Sequence, residues 1–308
     1  MLDGVQRLPG HHPVVLAEQG AALGMVELDV SAAKLGESSD GRITVEIFPA
    51  GQLGSWEEMQ EALELGSLDV LVESLGSLER YTPLAGIEGL PFLYEDDEHF
   101  IEVWSGPLAD EILGAIREES GFQLLGQLYR GGRLLNTTRP VKELTDLAGL
   151  KLRVPTQQTY IDTWQMLGAS PTPMSFNEVF SALEQGALDG QENPIDVIRF
   201  NSMYEVAPFI TETNHIYGNF HFQLWGDAFE AWSAEDQRLF KAAVDEVSAS
   251  YLSSARSSVA EHRTYLEGEG VTFLPIDLGA WRQKVAAVID GADPRVVAWS
   301  KKIADRDY

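Results

Sequence analysis

The chain has 308 residues, 44% of them hydrophobic and 23% charged, the make-up of a globular protein long enough for two lobes of ordinary size. Asp and Glu number 48 against 22 Lys and Arg, a formal net charge of −26 at pH 7, so no basic face exists to neutralise phosphates and nucleic acid is excluded as a partner. The absence of Cys excludes disulfides and thiolate metal sites, and no apolar run approaches the ~20 residues that a membrane helix needs.

Met1 to His12 is polar and irregular, a tail without the pattern of a secretion signal. Either a leader has been removed or the protein is cytosolic. Strand and helix patterns then alternate, which predicts an α/β fold. Val14-Val15-Leu16-Ala17 is a short apolar strand ending at Glu18-Gln19. The periodicity predicts a helix over 23–35, stopped by Gly36, and a strand over Arg42–Phe48, broken by Pro49. Ser55 and Glu58 form a capping box for a helix over Trp56–Leu65. Gly66 ends it, and Leu68–Val72 is the next strand. Glu61–Asp69 has an echo at Ser181–Asp189: each reads as a helix end, a Gly cap and a strand entry. The echo fits two similar α/β lobes, or merely two ordinary helix-to-strand turns. Ser233–Glu267 contains neither Gly nor Pro and opens with a Ser233/Asp236 capping signature. As one helix it would be ~50 Å long, a brace across two lobes; otherwise it is two helices bent at the Ser-rich stretch 248–258.

No glycine-rich phosphate loop, nucleophile elbow or His-Glu-x-x-His is present, so no cofactor, metal or catalytic residue is expected. His99 and His262 lie in charged, helix-like contexts and are expected to be solvated. With 48 acidic residues, any single Asp or Glu is expected at the surface.

The specific signal lies between Arg133 and His215. Arg133 follows a glycine pair, and Arg153 closes a buried strand in Gly149-Leu150-Lys151-Leu152-Arg153-Val154-Pro155. A guanidinium is always charged and presents a planar fork that matches a carboxylate. An Arg at a strand end is equally a structural ion pair, but ligands of open α/β folds bind outside the strands' carboxyl ends. Phe176 precedes a helix, as a core residue or an apolar wall. Asn193, after a strand and before Pro194, organises a turn or presents its amide to a ligand.

At these residues the chain resembles the substrate-binding proteins of TRAP (tripartite ATP-independent periplasmic) transporters. The resemblance lies in the 149–155 run, Leu167-Gly168-Ala169-Ser170-Pro171-Thr172-Pro173-Met174, Glu178-Val179-Phe180, Ala182-Leu183-Glu184-Gln185-Gly186, Asp189-Gly190-Gln191-Glu192-Asn193-Pro194 and Thr213-Asn214-His215. It extends to Gly41–Val45, Gln52–Gly54, Leu90-Pro91-Phe92-Leu93 and Trp232-Ser233. It implies a periplasmic receptor, its leader removed, with two α/β lobes hinged around an organic acid at Tyr129-Arg130 and Tyr217–Asn219. Lobe I would take 13–129 plus 217–255 and lobe II 130–216 plus 256–308. It also implies delivery to membrane permease subunits, and the receptor is expected to be a monomer. The family's principal carboxylate-binding Arg matches Arg153, its supporting Arg matches Arg133, its pocket aromatic Phe176 and its pocket amide Asn193. Ligand-dependent contacts would come from Glu18, Gln19, Glu73 and Ser74, with His215 and Phe220 following.

Two functions of different class are compatible with these arginines. One is a non-catalytic receptor for an organic anion. The other is a cytosolic α/β enzyme acting on a small carboxylic acid, which lacks a visible nucleophile, metal set or cofactor fingerprint. For the ligand, Glu18 and Glu73 would repel a second carboxylate and accept bonds from hydroxyls. That favours a uronate or aldonate over a dicarboxylate, while Tyr129, Trp164 and Phe176 leave apolar keto acids open.

Overall fold

The computed structural model describes residues 12–18 and 25–308, with eleven strands among them. These are β1 (His12–Glu18), β2 (Ile43–Phe48), β3 (Val70–Ser74), β4 (Phe122–Gly132), β5 (Leu134–Thr137), β6 (Lys151–Val154), β7 (Ser170–Pro173), β8 (Gly190–Asn193), β9 (Phe209–Thr211), β10 (Tyr217–Trp225) and β11 (Thr272–Leu274). They form two mixed sheets, ordered β2-β1-β3-β10-β4 and β11-β9-β5-β8-β6-β7. The chain divides into two compact units. The first holds the described residues up to Ser74 together with Ile116–Tyr129 and Asn219–Arg256; the second holds Leu75–Ala115, Arg130–Gly218 and Ser257–Tyr308.

In the first unit β1 lies parallel to both β2 and β3, so Val14, Val15 and Leu16 are buried and the strand reads as a continuous apolar run. β10 runs antiparallel to β3. The core joins Val14, Leu16, Val70 and Val72 to Phe222, Phe229, Phe240 and Val244. In the second unit the sheet separates two cores. Consecutive residues of β5 face opposite ways, so Leu135 packs with Leu152, Trp164 and Trp281, and Leu134 with Val179, Leu183 and Ile210.

The capping box forms as predicted: Ser55 Oγ accepts from Glu58 N–H, and Glu58 accepts from Ser55 N–H (2.8 Å), opening the helix Trp56–Glu64. The helix expected to stop at Gly36 runs Met25–Ser38, and residues 23 and 24 lie outside the described ones. Its stop is set three residues later, where Asp40 and Gly41 take positive φ and Ser39 Oγ accepts from Ile43 N–H. Ser233 caps a single helix, Ala234–Gly268, through Asp236 N–H. Its 35 residues make it ~52 Å long, and its residues are divided between the two units.

Residues 75–115, placed by sequence in lobe I, belong to the second unit. Long-range bonds hold them there: Thr159 Oγ1 to Glu79 (2.6 Å), Trp299 Nε1 to Glu111 (2.8 Å) and Phe92 N–H to the His215 carbonyl (2.6 Å). His99 and His262 are buried rather than solvated. His99 Nδ1 accepts from Glu95 N–H beside the Tyr94 ring, and His262 meets Arg199 and the Phe200 ring. Tyr308, which stacks on His99, and Arg199 and Phe200 beside His262 are distant in sequence, and such partners turn a charged context into an interior one.

The sequence echo is a structural one. After the helix ending at Glu64, Ser67 and Leu68 N–H both donate to the Ala62 carbonyl; after the helix ending at Glu184, Ala187 and Leu188 N–H both donate to the Ala182 carbonyl. Gly66 (φ +72°) and Gly186 (φ +71°) make the two turns. Asp69 then takes Val15 N–H (3.0 Å) and Asp189 takes Lys151 N–H (2.9 Å), each aspartate joining its strand entry to a neighbouring strand. A Cβ on either glycine would meet nothing within 4 Å. Alanine there is penalised by backbone conformation alone, so Gly66→Ala and Gly186→Ala should each destabilise by ~1–2 kcal/mol. Asparagine, which tolerates the left-handed region, should cost less. Urea unfolding checks this as a fall in midpoint at constant slope.

Candidate functional site

The second unit carries a buried polar cluster at the edge of β5 and β8. β5 pairs antiparallel with β8, setting Leu134 opposite Asn193 and Leu135 opposite Glu192. Arg133, just before β5, therefore reaches the end of β8. Its Nε donates to Glu192 Oε2, while Nη2 donates to Glu192 Oε1 (2.8 Å), to the Glu192 carbonyl (2.8 Å) and to Asn193 Oδ1 (3.1 Å). The guanidinium lies over the Tyr160 ring at 5.3 Å. Among the described residues, its Nη1 makes no bond.

Glu192 has no exposed side chain. Burial pushes its pKa up, but the charge and hydrogen bonds of Arg133, with His215, outweigh burial and hold it at about 2. His215 is likewise fully buried, and burial lowers its pKa against the pull of Glu192. A neutral imidazole needs one donor and one acceptor nitrogen. Nε2–H therefore donates to Glu192 Oε2 (3.1 Å), and Nδ1 accepts from Thr213 Oγ1 (2.8 Å). The chain around His215 is tightly set: Asn214 has φ +40°, and Phe92, which donates to the His215 carbonyl, has φ +55°. Asn193 Nδ2 continues the network to Gln191 Oε1 (2.6 Å), and Gln191 Nε2 to Asn136 Oδ1 (3.1 Å).

Arg153 sits at the exit of β6, where Pro155 prevents further pairing, and is 4% exposed. Its Nε and Nη2 both donate to the Met174 carbonyl, at 2.9 and 2.7 Å, and its guanidinium lies over the Phe176 ring at 5.7 Å. Phe176 starts the one-turn segment before the helix Val179–Glu184 and is half-buried.

The sequence-predicted residues thus form separate groups. Arg133, Asn193 and His215 meet around Glu192; Arg153 and Phe176 meet beside Met174. In the first unit, Ser74 pairs with Phe220 and Glu73 with His221 across β3 and β10. Glu73 is 7% exposed, and its carboxylate takes Ser74 N–H (2.8 Å). Gln19 lies outside the described residues, as does the Glu18 side chain, though Glu18 ends β1. His215, expected along the ligand cavity, is fully buried and bonded to Glu192 and Thr213. Sequence reasoning overlooked Glu192, Thr213, Tyr160 and Gln191. The available signal was an acid inside a strand-like run, Gly190-Gln191-Glu192-Asn193, which the rule that acids are solvated overrode.

A carboxylate held at about 2 contributes stability that is full above its ordinary value of 4.5 and is lost as pH falls towards 2. His221 in the first unit acts at higher pH. Burial lowers it to about 4, so stability is lost as pH falls from 6.5 towards 4, where the unfolded chain takes the proton first. Glu192→Gln should flatten the lower window and cost ~3–5 kcal/mol at pH 7, because it leaves Arg133 without its counter-charge. Denaturant melts across pH 2–7 measure both effects.

The profile of the bacterial extracellular solute-binding proteins, family 7, matches residues 27–293. A solute-binding protein of Roseobacter denitrificans is 35% identical over 257 residues, covering 82% of this chain and 79% of its own length. A solved TRAP periplasmic solute binding protein from the same organism, with bound L-galactonate, has a TM-score of 0.87 and 31% identity, and the match covers 95% of this chain and 98% of that one. Another from Xanthobacter autotrophicus, with bound β-D-galacturonate, has a TM-score of 0.90 and 27% identity, covering 95% and 99%. The chain belongs to family 7 of the bacterial extracellular solute-binding proteins, the substrate-binding proteins of TRAP transporters.

Proposed function

We propose that the protein is the periplasmic receptor of a TRAP transporter, that it binds a sugar acid, a uronate or aldonate, without chemical turnover, and that it delivers this ligand to the membrane permease. The observation that carries the reading is Arg153. Its guanidinium is buried at a strand exit, with one edge fixed by the Met174 carbonyl and one face covered by Phe176. The carbonyl orients a planar, permanently charged fork, which suits a ligand carboxylate. The Nη1 of Arg133 supplies a second donor, and Glu192 and Asn193 hold that side chain in place. Asn193 is the amide we assign to the ligand, with Phe176 as its apolar wall. Glu73, Ser74, Glu18, Gln19 and Phe220 are assigned to ligand choice, the acids accepting from hydroxyls. The sugar acids bound by the two solved relatives support this class of ligand.

The enzyme alternative gains nothing from the site. The buried imidazole, the group best suited to proton transfer, is bonded on both nitrogens to protein. Incubation with sugar acids should give binding and no product.

Arg153→Ala should weaken sugar-acid binding by ~2–5 kcal/mol, roughly 30- to several-thousand-fold. Arg153→Lys should also lose at least ~10-fold, since an ammonium cannot reproduce the fork. Calorimetric titration with galacturonate, glucuronate, galactonate, succinate and malate tests both statements. Lysine binding within twofold of wild type would remove Arg153 from the anchor role. Tighter binding of succinate or malate than of every sugar acid would overturn the ligand class.

A further inference from the structure

We propose that Gln157 is a further ligand-binding residue of this same site, its carboxamide serving a hydroxyl of the sugar acid, an inference that rests on the receptor reading above. Gln157 precedes the helix Gln158–Leu167 and lies four residues after Arg153, on the loop that leaves the carboxyl end of β6. Loops at such strand ends are where open α/β folds hold their ligands. Three residues further on, the Tyr160 ring lies under the Arg133 guanidinium at 5.3 Å. Residues three apart on a helix are neighbours on one face. The stretch from Arg153 to Tyr160 thus runs from one candidate arginine to the other, and Gln157 lies on it.

A polar side chain that begins a helix ordinarily takes an N–H of the first turn. Gln157 does not. Glu79 takes that role, accepting from Thr159 N–H (3.5 Å) and from Thr159 Oγ1 (2.6 Å). Gln157 is nevertheless only 7% exposed, and its amide makes no hydrogen bond among the described residues. The Tyr160 hydroxyl makes none either, in a residue 3% exposed. Taking an amide out of water without a partner costs stability, and an apolar side chain of similar size would fill the space without that cost. A Cβ on Gly76 would come within 2.9 Å of Gln157 Oε1, and Gly76 has no positive φ. Glycine there provides close approach of backbone to the amide, not an unusual conformation. A carboxamide presents both donors and an acceptor. A hydroxyl can satisfy both kinds, whereas a carboxylate only accepts and a methylene does neither. Beside arginines that take the carboxylate, the amide is therefore matched to the hydroxyls on the rest of the ligand.

Gln157→Leu separates a ligand role from a structural one, because the two predict different pairs of changes. Calorimetric titration of wild type with D-galactonate, D-gluconate, D-galacturonate and D-glucuronate first identifies the tightest of the four. For that acid Gln157→Leu should lose at least ~10-fold in affinity, since the ligand hydroxyl is left facing an apolar group. Its urea midpoint should stay level or rise, because an unbonded amide has left the interior. Affinity within twofold of wild type overturns the assignment. A midpoint that falls together with the affinity also overturns it, since that is the mark of a structural residue. If Gln157→Leu fails to fold, Gln157→Ala, the smaller side chain, is judged on affinity by the same two limits. Tight binding by wild type with an unmoved variant defeats the Gln157 assignment alone and leaves the receptor intact. A wild type that binds none of the four acids defeats the sugar-acid reading, and this assignment with it.

Discussion

The ion pair of Arg133 with Glu192 is made by a carboxylate with no exposed surface, and much of the second unit's polar interior is arranged to make that tolerable. Two ions taken out of water must be repaid by good geometry and by satisfaction of their remaining donors and acceptors. Glu192 receives Arg133 on both oxygens and His215 on one; His215 receives Thr213 in turn; Asn193 links Arg133 to Gln191 and Asn136. Each group is oriented by the next, so the free edge of Arg133 is presented in one direction. Preorganisation of this kind reduces what a ligand must spend on ordering its partner.

The two arginines are held by different means. Arg133 is held by the charge of Glu192, through Nε and Nη2. Arg153 is held by a carbonyl and an aromatic face, which fix its plane. A receptor must release what it binds, so it gains from an anchor that is strong only when a carboxylate is present. The sequence has 48 carboxylates, and those buried among the described residues, Glu73, Glu88, Glu192 and Asp236, are each tied to a backbone N–H or a cation within their own unit.

The twin turns at Gly66 and Gly186 show how one local device is used in both units. In each, a helix ends on a left-handed glycine, the next two N–H groups fold back on one carbonyl, and an aspartate takes an N–H from a neighbouring strand. The second unit places Asn193, the amide proposed for the ligand, four residues past that aspartate, and the first places Glu73 four residues past its own.

Local patterns were legible in the sequence because their causes are local. The capping box at Ser55, the glycine turns, the strand ending at Pro155 and the unbroken helix after Ser233 each depend on residues within a few positions of one another. The candidate arginines were legible too, since a guanidinium beside an apolar strand in so acidic a chain stands out, and the motif run around Arg153 fixed the family. Tertiary structure alone decided which charges meet. Glu192 reads as one of many acids until β5 pairs with β8 and brings Arg133 onto it, 59 positions away in sequence. His215 meets Glu192 only through the fold, 23 positions away in sequence, and residues 75–115 joined the second unit through bonds to Thr159, His215 and Trp299. Burial of a charge is a property of pairing across strands, and no window of neighbouring residues contains it.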